Sequence, residues 1–137
     1  MDEDQWLASY GLTPSGPELD AVRQMLQAEA LKERKRQGEG DTLLMKLCCV
    51  QLFNAARLDD VLAIWKAKTS SFDAACSIDI QLLCAAGLDA TRTYLLSVGS
   101  TEATAALRRI NECEAGGDFE GFEVATYSAQ WRTYYGM

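Results

Sequence analysis

The sequence predicts an all-α protein, a compact array of stacked helical hairpins, and three observations carry that expectation. Between Leu43 and Ala56 the only polar residues are Lys46, Gln51 and Asn54. The segment is therefore too apolar for a helix wetted along half its circumference and is expected to be buried on most sides. A second run, Ala74 to Ala86, is interrupted only by Ser77, Asp79 and Gln81, and Gly87 follows as a natural left-handed stop. Third, a shift of thirty residues places Val50-Gln51-Leu52 on Ile80-Gln81-Leu82 and Ala55-Ala56-Arg57-Leu58-Asp59 on Ala85-Ala86-Gly87-Leu88-Asp89. A further shift places Ile110 on Ile80, Ala115 on Ala85 and Gly116 on Ala86, a weaker match. A degenerate repeat of about 30 residues describes an inner helix, a tight turn and a short outer helix, a unit that completes its core only by stacking on its neighbours. An irregular bundle rich in Ala and Leu is the competing explanation.

Residues 1–16 read as an N-terminal arm, in which acids accompany Trp6, Leu7 and Tyr10 before the turn-like Thr13-Pro14-Ser15-Gly16-Pro17. If the arm is helical, Trp6 and Tyr10 share a side and tuck it against the domain. Residues 17–137 are expected to form one all-helical domain. Its first helix begins near Pro17, with Ser15 as cap and Glu18 completing a capping box. The face of Leu19, Val22, Met25, Leu26 and Ala30 is interrupted only by Glu29, so this helix flanks the central unit. Lys32-Glu33-Arg34-Lys35-Arg36 close it, where basic side chains complement the negative helix end.

Asp41 is the expected cap of the first inner helix. Asp59 should cap a short outer helix with Val61, Leu62, Ile64 and Trp65 inward and Lys66 and Lys68 in solvent. Ser70 and Asp73 have capping-box spacing ahead of the second inner helix. Asp89 should cap the next helix, with Tyr94, Leu95 and Leu96 inward, and Ser100 or Thr101 the one after it. There Ala103, Leu107, Ile110 and Cys113 lie at helical spacing against Arg108, Arg109, Glu112 and Glu114. Gly116 to Phe122 reads as a glycine-spaced turn whose phenylalanines plug the core. A last helix, about Val124 to Tyr135, carries Tyr127, Trp131 and Tyr134 on one stripe with Tyr135 beside it.

A chain of 137 residues with a hydrophobic fraction of 48% suffices for a core without metal or disulfide. The acidic start Met1-Asp2-Glu3-Asp4 does not resemble a secretory signal, so the cytoplasm is the expected location. The five cysteines, Cys48, Cys49, Cys76, Cys84 and Cys113, are then expected to be reduced thiols. Thirteen basic and twenty acidic residues give a net charge of -7, which works against binding phosphate backbones or anionic membranes.

The sequence lacks histidine, which rules out a Ser-His-Asp triad and histidine acid–base catalysis. No glycine-rich phosphate loop or metal knuckle is present, so no cofactor or metal is expected. The helical organisation over residues 43–119 is similar to short hairpin repeats such as ankyrin, although the Thr-Pro-Leu-His signature is absent and no binding residue transfers.

The functional expectation is therefore a non-enzymatic protein-interaction or adaptor module, extending to an acidic inhibitor or immunity-type protein that meets a basic partner. The alternatives are a homodimeric structural protein and a small-ligand protein or enzyme using Asp79. Asp79 stands out as a carboxylate in an apolar run, which if buried needs a partner or a raised pKa. Candidate partner-binding residues are Trp65, Asp79, the acids Glu112, Glu114, Asp118 and Glu120, and the aromatics Trp131, Tyr134 and Tyr135. Five acids and no base occur from Glu112 to Glu123, the most acidic stretch of the chain. Trp65 and the terminal aromatics serve either as core anchors or as interaction hot spots.

Overall fold

The innermost element is the helix the sequence marks most strongly. Thr42–Ala55 is helical, capped by the Asp41 carboxylate accepting from the Leu44 amide, and every side chain from Leu44 to Phe53 is buried. Fully burying each large apolar side chain here contributes about 1.5–3 kcal/mol. The computed structural model describes residues 1–137 as all-α, without a strand. In chain order the helices are α1 (Glu3–Tyr10), α2 (Pro17–Lys35), α3 (Thr42–Ala55), α4 (Val61–Lys68), α5 (Phe72–Ser77), α6 (Leu88–Val98), α7 (Thr101–Ala115) and α8 (Val124–Tyr134), with 3-10 turns at Leu58–Asp60 and Ile80–Leu83.

The three polar interruptions of α3 all fasten the chain's outer segments to it. Gln51 is fully buried, accepting from Trp6 Nε1 at 2.9 Å and donating to Gly11 O at 2.7 Å. Asn54 donates to Leu12 O and accepts from Ser128 of α8, each at 2.8 Å. Lys46 donates to Tyr134 Oη at 2.8 Å. The N-terminal arm is thus a docked helix, begun by a capping box between Asp2 and Gln5.

Helix α2 flanks α3, and two buried glutamates of α2 hold the loop between them. Glu33, 1% exposed, accepts from the amides of Gly38 and Gly40 and from the Ser71 hydroxyl. Glu29 accepts from the Asp41 amide and from Lys32 Nζ. The loop lies so close that a Cβ at Gly40 would stand 2.5 Å from Glu29 O and 2.7 Å from Glu33 Cβ. On its other side α2 meets α4 through a fork from Arg23 to the buried Asp60 carboxylate, at 2.8 and 3.1 Å. Arg34, in the basic cluster, donates to Lys66 O of α4.

The structure departs from expectation most clearly over Ala74 to Ala86. The single second inner helix is replaced by α5, an extended Ile78-Asp79 step, the 3-10 turn Ile80–Leu83 and an irregular turn to Gly87. Ser77, Asp79 and the β-branched Ile78 and Ile80 are modest helix formers. Lys68 instead takes a carbonyl of α5 and the one just beyond its end, its ammonium donating to Ala75 O at 2.7 Å and also to Ile78 O. The broken path lets Ile78, Ile80, Leu82, Leu83 and Cys84 all reach the core. Aligned segments of the thirty-residue period therefore differ locally, Val50–Leu52 being α-helical and Ile80–Leu82 a 3-10 turn.

Several local expectations are corrected. The cap of α2 is Gly16 without a side-chain bond, so Ser15 and Glu18 make no capping box. Asp59 pairs with Arg57 instead of capping α4. Ser71 caps α5, while the Ser70 hydroxyl donates to Ala67 O. Gly87 precedes α6, and Asp89 sits in its first turn against Arg92. Leu96 is 68% exposed, whereas Leu95 is buried. Lys68 is half-buried rather than solvated. Ser100 caps α7 as anticipated, and Phe119 and Phe122 close the core edge-to-face at 5.5 Å.

Candidate functional site

The residues singled out by sequence fall into three places. The first is a polar recess of about 300 Å³ lined by Lys68 of α4, Ala75 of α5, Asp79, Ile80 and Gln81 of the broken segment, Arg109 and Cys113 of α7, and Asp118. Asp79 is half-buried there, and its Oδ2 accepts from Tyr127 Oη of α8 at 2.8 Å. The Tyr127 hydroxyl is pushed well above its ordinary pKa, first by burial and then by the Asp79 charge. Burial lowers the pKa of the Lys68 ammonium, with Asp79 partly opposing the shift. Gln81 Nε2 donates to Asp118 O at 2.7 Å, and the Asp118 amide donates to Cys113 O, so the turn after α7 is tied to the recess.

The second place is the aromatic face of α8. Tyr127, Trp131, Tyr134 and Tyr135 form a continuous series, with neighbouring ring centroids 4.9–6.1 Å apart. Trp131 and Tyr135 are half-buried and pack against the core, while Tyr134 is 59% exposed. This face already holds a cation from the chain itself: Lys46 Nζ lies 4.5 Å from the Tyr134 ring centroid and 5.7 Å from that of Trp131. Glu3 Oε2, Trp131 Nε1 and Tyr135 Oη are buried without a protein hydrogen-bond partner. Burial raises the pKa of both Glu3 and Tyr135, and the Glu3 charge adds to the effect on Tyr135. Trp65, on α4, is likewise half-buried and packed on the core.

The third place is the acidic edge made by the end of α7 and the turn to α8. Glu112, Glu114, Asp118, Glu120 and Glu123 are all exposed, and only Glu114 is paired with a cation, Arg92. Phe119 anchors this edge by inserting into the core between Asp118 and Glu120. The structure thus brings Asp118 to both the recess and the acidic edge. Trp65, Trp131 and Tyr135 pack on the core instead, and Tyr134 meets Lys46.

Sequence reasoning missed Lys46, Lys68, Gln81 and Arg109. Lys68 lies seven residues after Val61, on the same inward stripe as Ile64 and Trp65, so its position was readable from spacing although its charge argued for solvent. Lys46 was visible as the only cation in an apolar run. No three His, Cys, Asp or Glu side chains converge in a way that could hold a metal ion. No helix is long and apolar enough to cross a membrane. The chain matches no protein-family model, no curated protein and no solved structure.

Proposed function

We propose that this protein is a recognition module that docks a basic protein partner on the edge formed by the end of α7 and residues 116–123. The observation that carries the reading is the exposure of all five acids from Glu112 to Glu123 on a stretch without a base. In a chain of net charge -7, such an edge steers a cationic partner and raises its association rate. Phe119 in the core and the Gln81–Asp118 bond hold the edge in shape, which lowers the ordering cost of binding. An adaptor, or an inhibitor or immunity-type protein that covers a basic nucleic-acid-binding surface, is the narrower form of this proposal.

A homodimer closed by Trp65, Trp131 and Tyr135 has less support, because all three pack against the chain's own core. The test is affinity capture from native extract with the wild type and with a Glu112→Gln/Asp118→Asn/Glu120→Gln/Glu123→Gln variant. Mass spectrometry identifies the partner, and calorimetry follows at low and high salt. A basic partner whose affinity falls with salt and is lost in the variant supports the proposal. A partner held equally by both proteins overturns it.

A further inference from the structure

We propose that the recess between α4, residues 78–83 and α7 binds a free α-amino acid with a small or polar side chain. The recess holds unpaired charge of both signs. Lys68 and Arg109 contribute cations to this space, and Asp79 and Asp118 contribute carboxylates. Elsewhere Arg23, Arg57 and Arg92 each find an acid within the chain. No ion pair forms between any cation and any carboxylate of the recess. Opposite charges that line one small space without meeting are satisfied together by a ligand carrying both.

Several lining groups are tied to other partners. The Lys68 ammonium is tethered to the carbonyls of Ala75 and Ile78, the Asp79 carboxylate to Tyr127 through Oδ2, and the Gln81 amide to Asp118 O. These tethers leave Asp79 Oδ1 and Gln81 Oε1 without a protein donor. The break between α5 and the 3-10 turn places Asp79 and Gln81 on the wall.

The lining selects the ligand class. A simple anion in the recess faces Asp79 and Asp118, and a simple cation faces Lys68 and Arg109. A zwitterion sets its carboxylate toward Lys68 and Arg109 and its ammonium toward Asp79 and Asp118. A recess of about 300 Å³ has room for a free amino acid, and a lining with no apolar wall larger than Ile80 offers little to a large aliphatic or aromatic side chain, which favours glycine, alanine or serine.

The probes are glycine, L-alanine and L-serine, with acetate and methylammonium as half-ligands, followed by amide NMR and calorimetry on the full chain. Saturable shifts at Gln81 and Asp118 are expected with at least one amino acid, at a Kd of about 1 mM or tighter. Each half-ligand should bind at least about tenfold more weakly, and Arg109→Gln should weaken the amino acid by about tenfold or more. Circular dichroism confirms that this exposed-site variant stays folded. No saturable shift up to about 10 mM, or acetate binding as tightly as the amino acid, overturns the proposal. Arg109→Gln leaves every acid of the α7 edge in place, so this test and that of partner docking fail independently.

Discussion

Lys46 of the innermost helix and Tyr134 of the last one are joined twice, by a 2.8 Å hydrogen bond to the phenolic oxygen and by the ammonium standing 4.5 Å from the ring centroid. Lys46 is 8% exposed, so its charge is largely withdrawn from water and depends on that ring. Lys46→Met keeps most of the apolar stem and removes the charge, and is expected to lower stability by about 1–2 kcal/mol. Tyr134→Phe keeps the ring and should cost less, about 0.5–1 kcal/mol. Urea unfolding monitored by tryptophan emission checks both, and a Lys46→Met protein as stable as wild type would show that the pair contributes nothing.

Gln51→Leu preserves volume but strands two buried groups, the Trp6 N–H and the Gly11 carbonyl. The expected loss is about 2–4 kcal/mol. Release of α1 should also shift Trp6 emission to the red, and unchanged emission would mean that the arm docks without this bond.

Glu33 gives a pH dependence of defined sign. The Ser71 hydroxyl, followed by the Gly38 and Gly40 amides, holds its carboxyl below the ordinary range. Its folded pKa thus lies below its unfolded value of about 4.3. The associated stability is fully present above that unfolded value and is lost as pH falls through the lowered folded one. Glu33→Gln should be less stable than wild type at neutral pH by about 1–2 kcal/mol, with the gap narrowing in acid. Stability curves for both proteins between about pH 7 and pH 2 test this, and a gap independent of pH refutes it.

Glu3 behaves in the opposite way. Its Oε2 is buried without a partner and its pKa is raised by burial, so the ionised form penalises the folded state. That penalty is full above the raised folded pKa and vanishes below the unfolded one. Glu3→Gln should therefore stabilise the protein at neutral pH by up to about 1 kcal/mol and make no difference in strong acid. Thermal melts at the two pH extremes decide the point.

Thiol labelling should report a single native site. Of the five cysteines only Cys76 is exposed. Burial pushes Cys48 and Cys84 up to about 12, and Cys49 and Cys113 are also raised. One equivalent of a thiol reagent should react promptly in the folded protein and all five in denaturant. Rapid native labelling of a second thiol would contradict the described burial.

The all-α class and the burial of α3 were legible because an apolar run with three polar residues permits little else. Asp41 and Ser100 were readable as caps because each precedes a well-defined apolar face. The break at Ile78-Asp79 was hidden, since composition alone does not say which carbonyls a distant lysine will claim. Neither the grouping of Arg109 with Asp79 nor that of Lys46 with Tyr134 leaves a local signature, because each joins residues far apart in the chain. The acids from Glu112 to Glu123 were readable as surface because a glycine-rich turn cannot bury that much charge.

The link between Lys46 and Tyr134 spans 88 positions, and it sets an order of events during synthesis. Helix α3 leaves the ribosome long before the segment that covers its Lys46 and Phe53 flank, which α8 supplies through Tyr127, Trp131 and Tyr134. At a translation rate of about 5–20 residues per second, that flank stays uncovered for several seconds. During that interval the nascent chain presents an uncovered flank of its innermost helix to chaperones or to its neighbours on the same message.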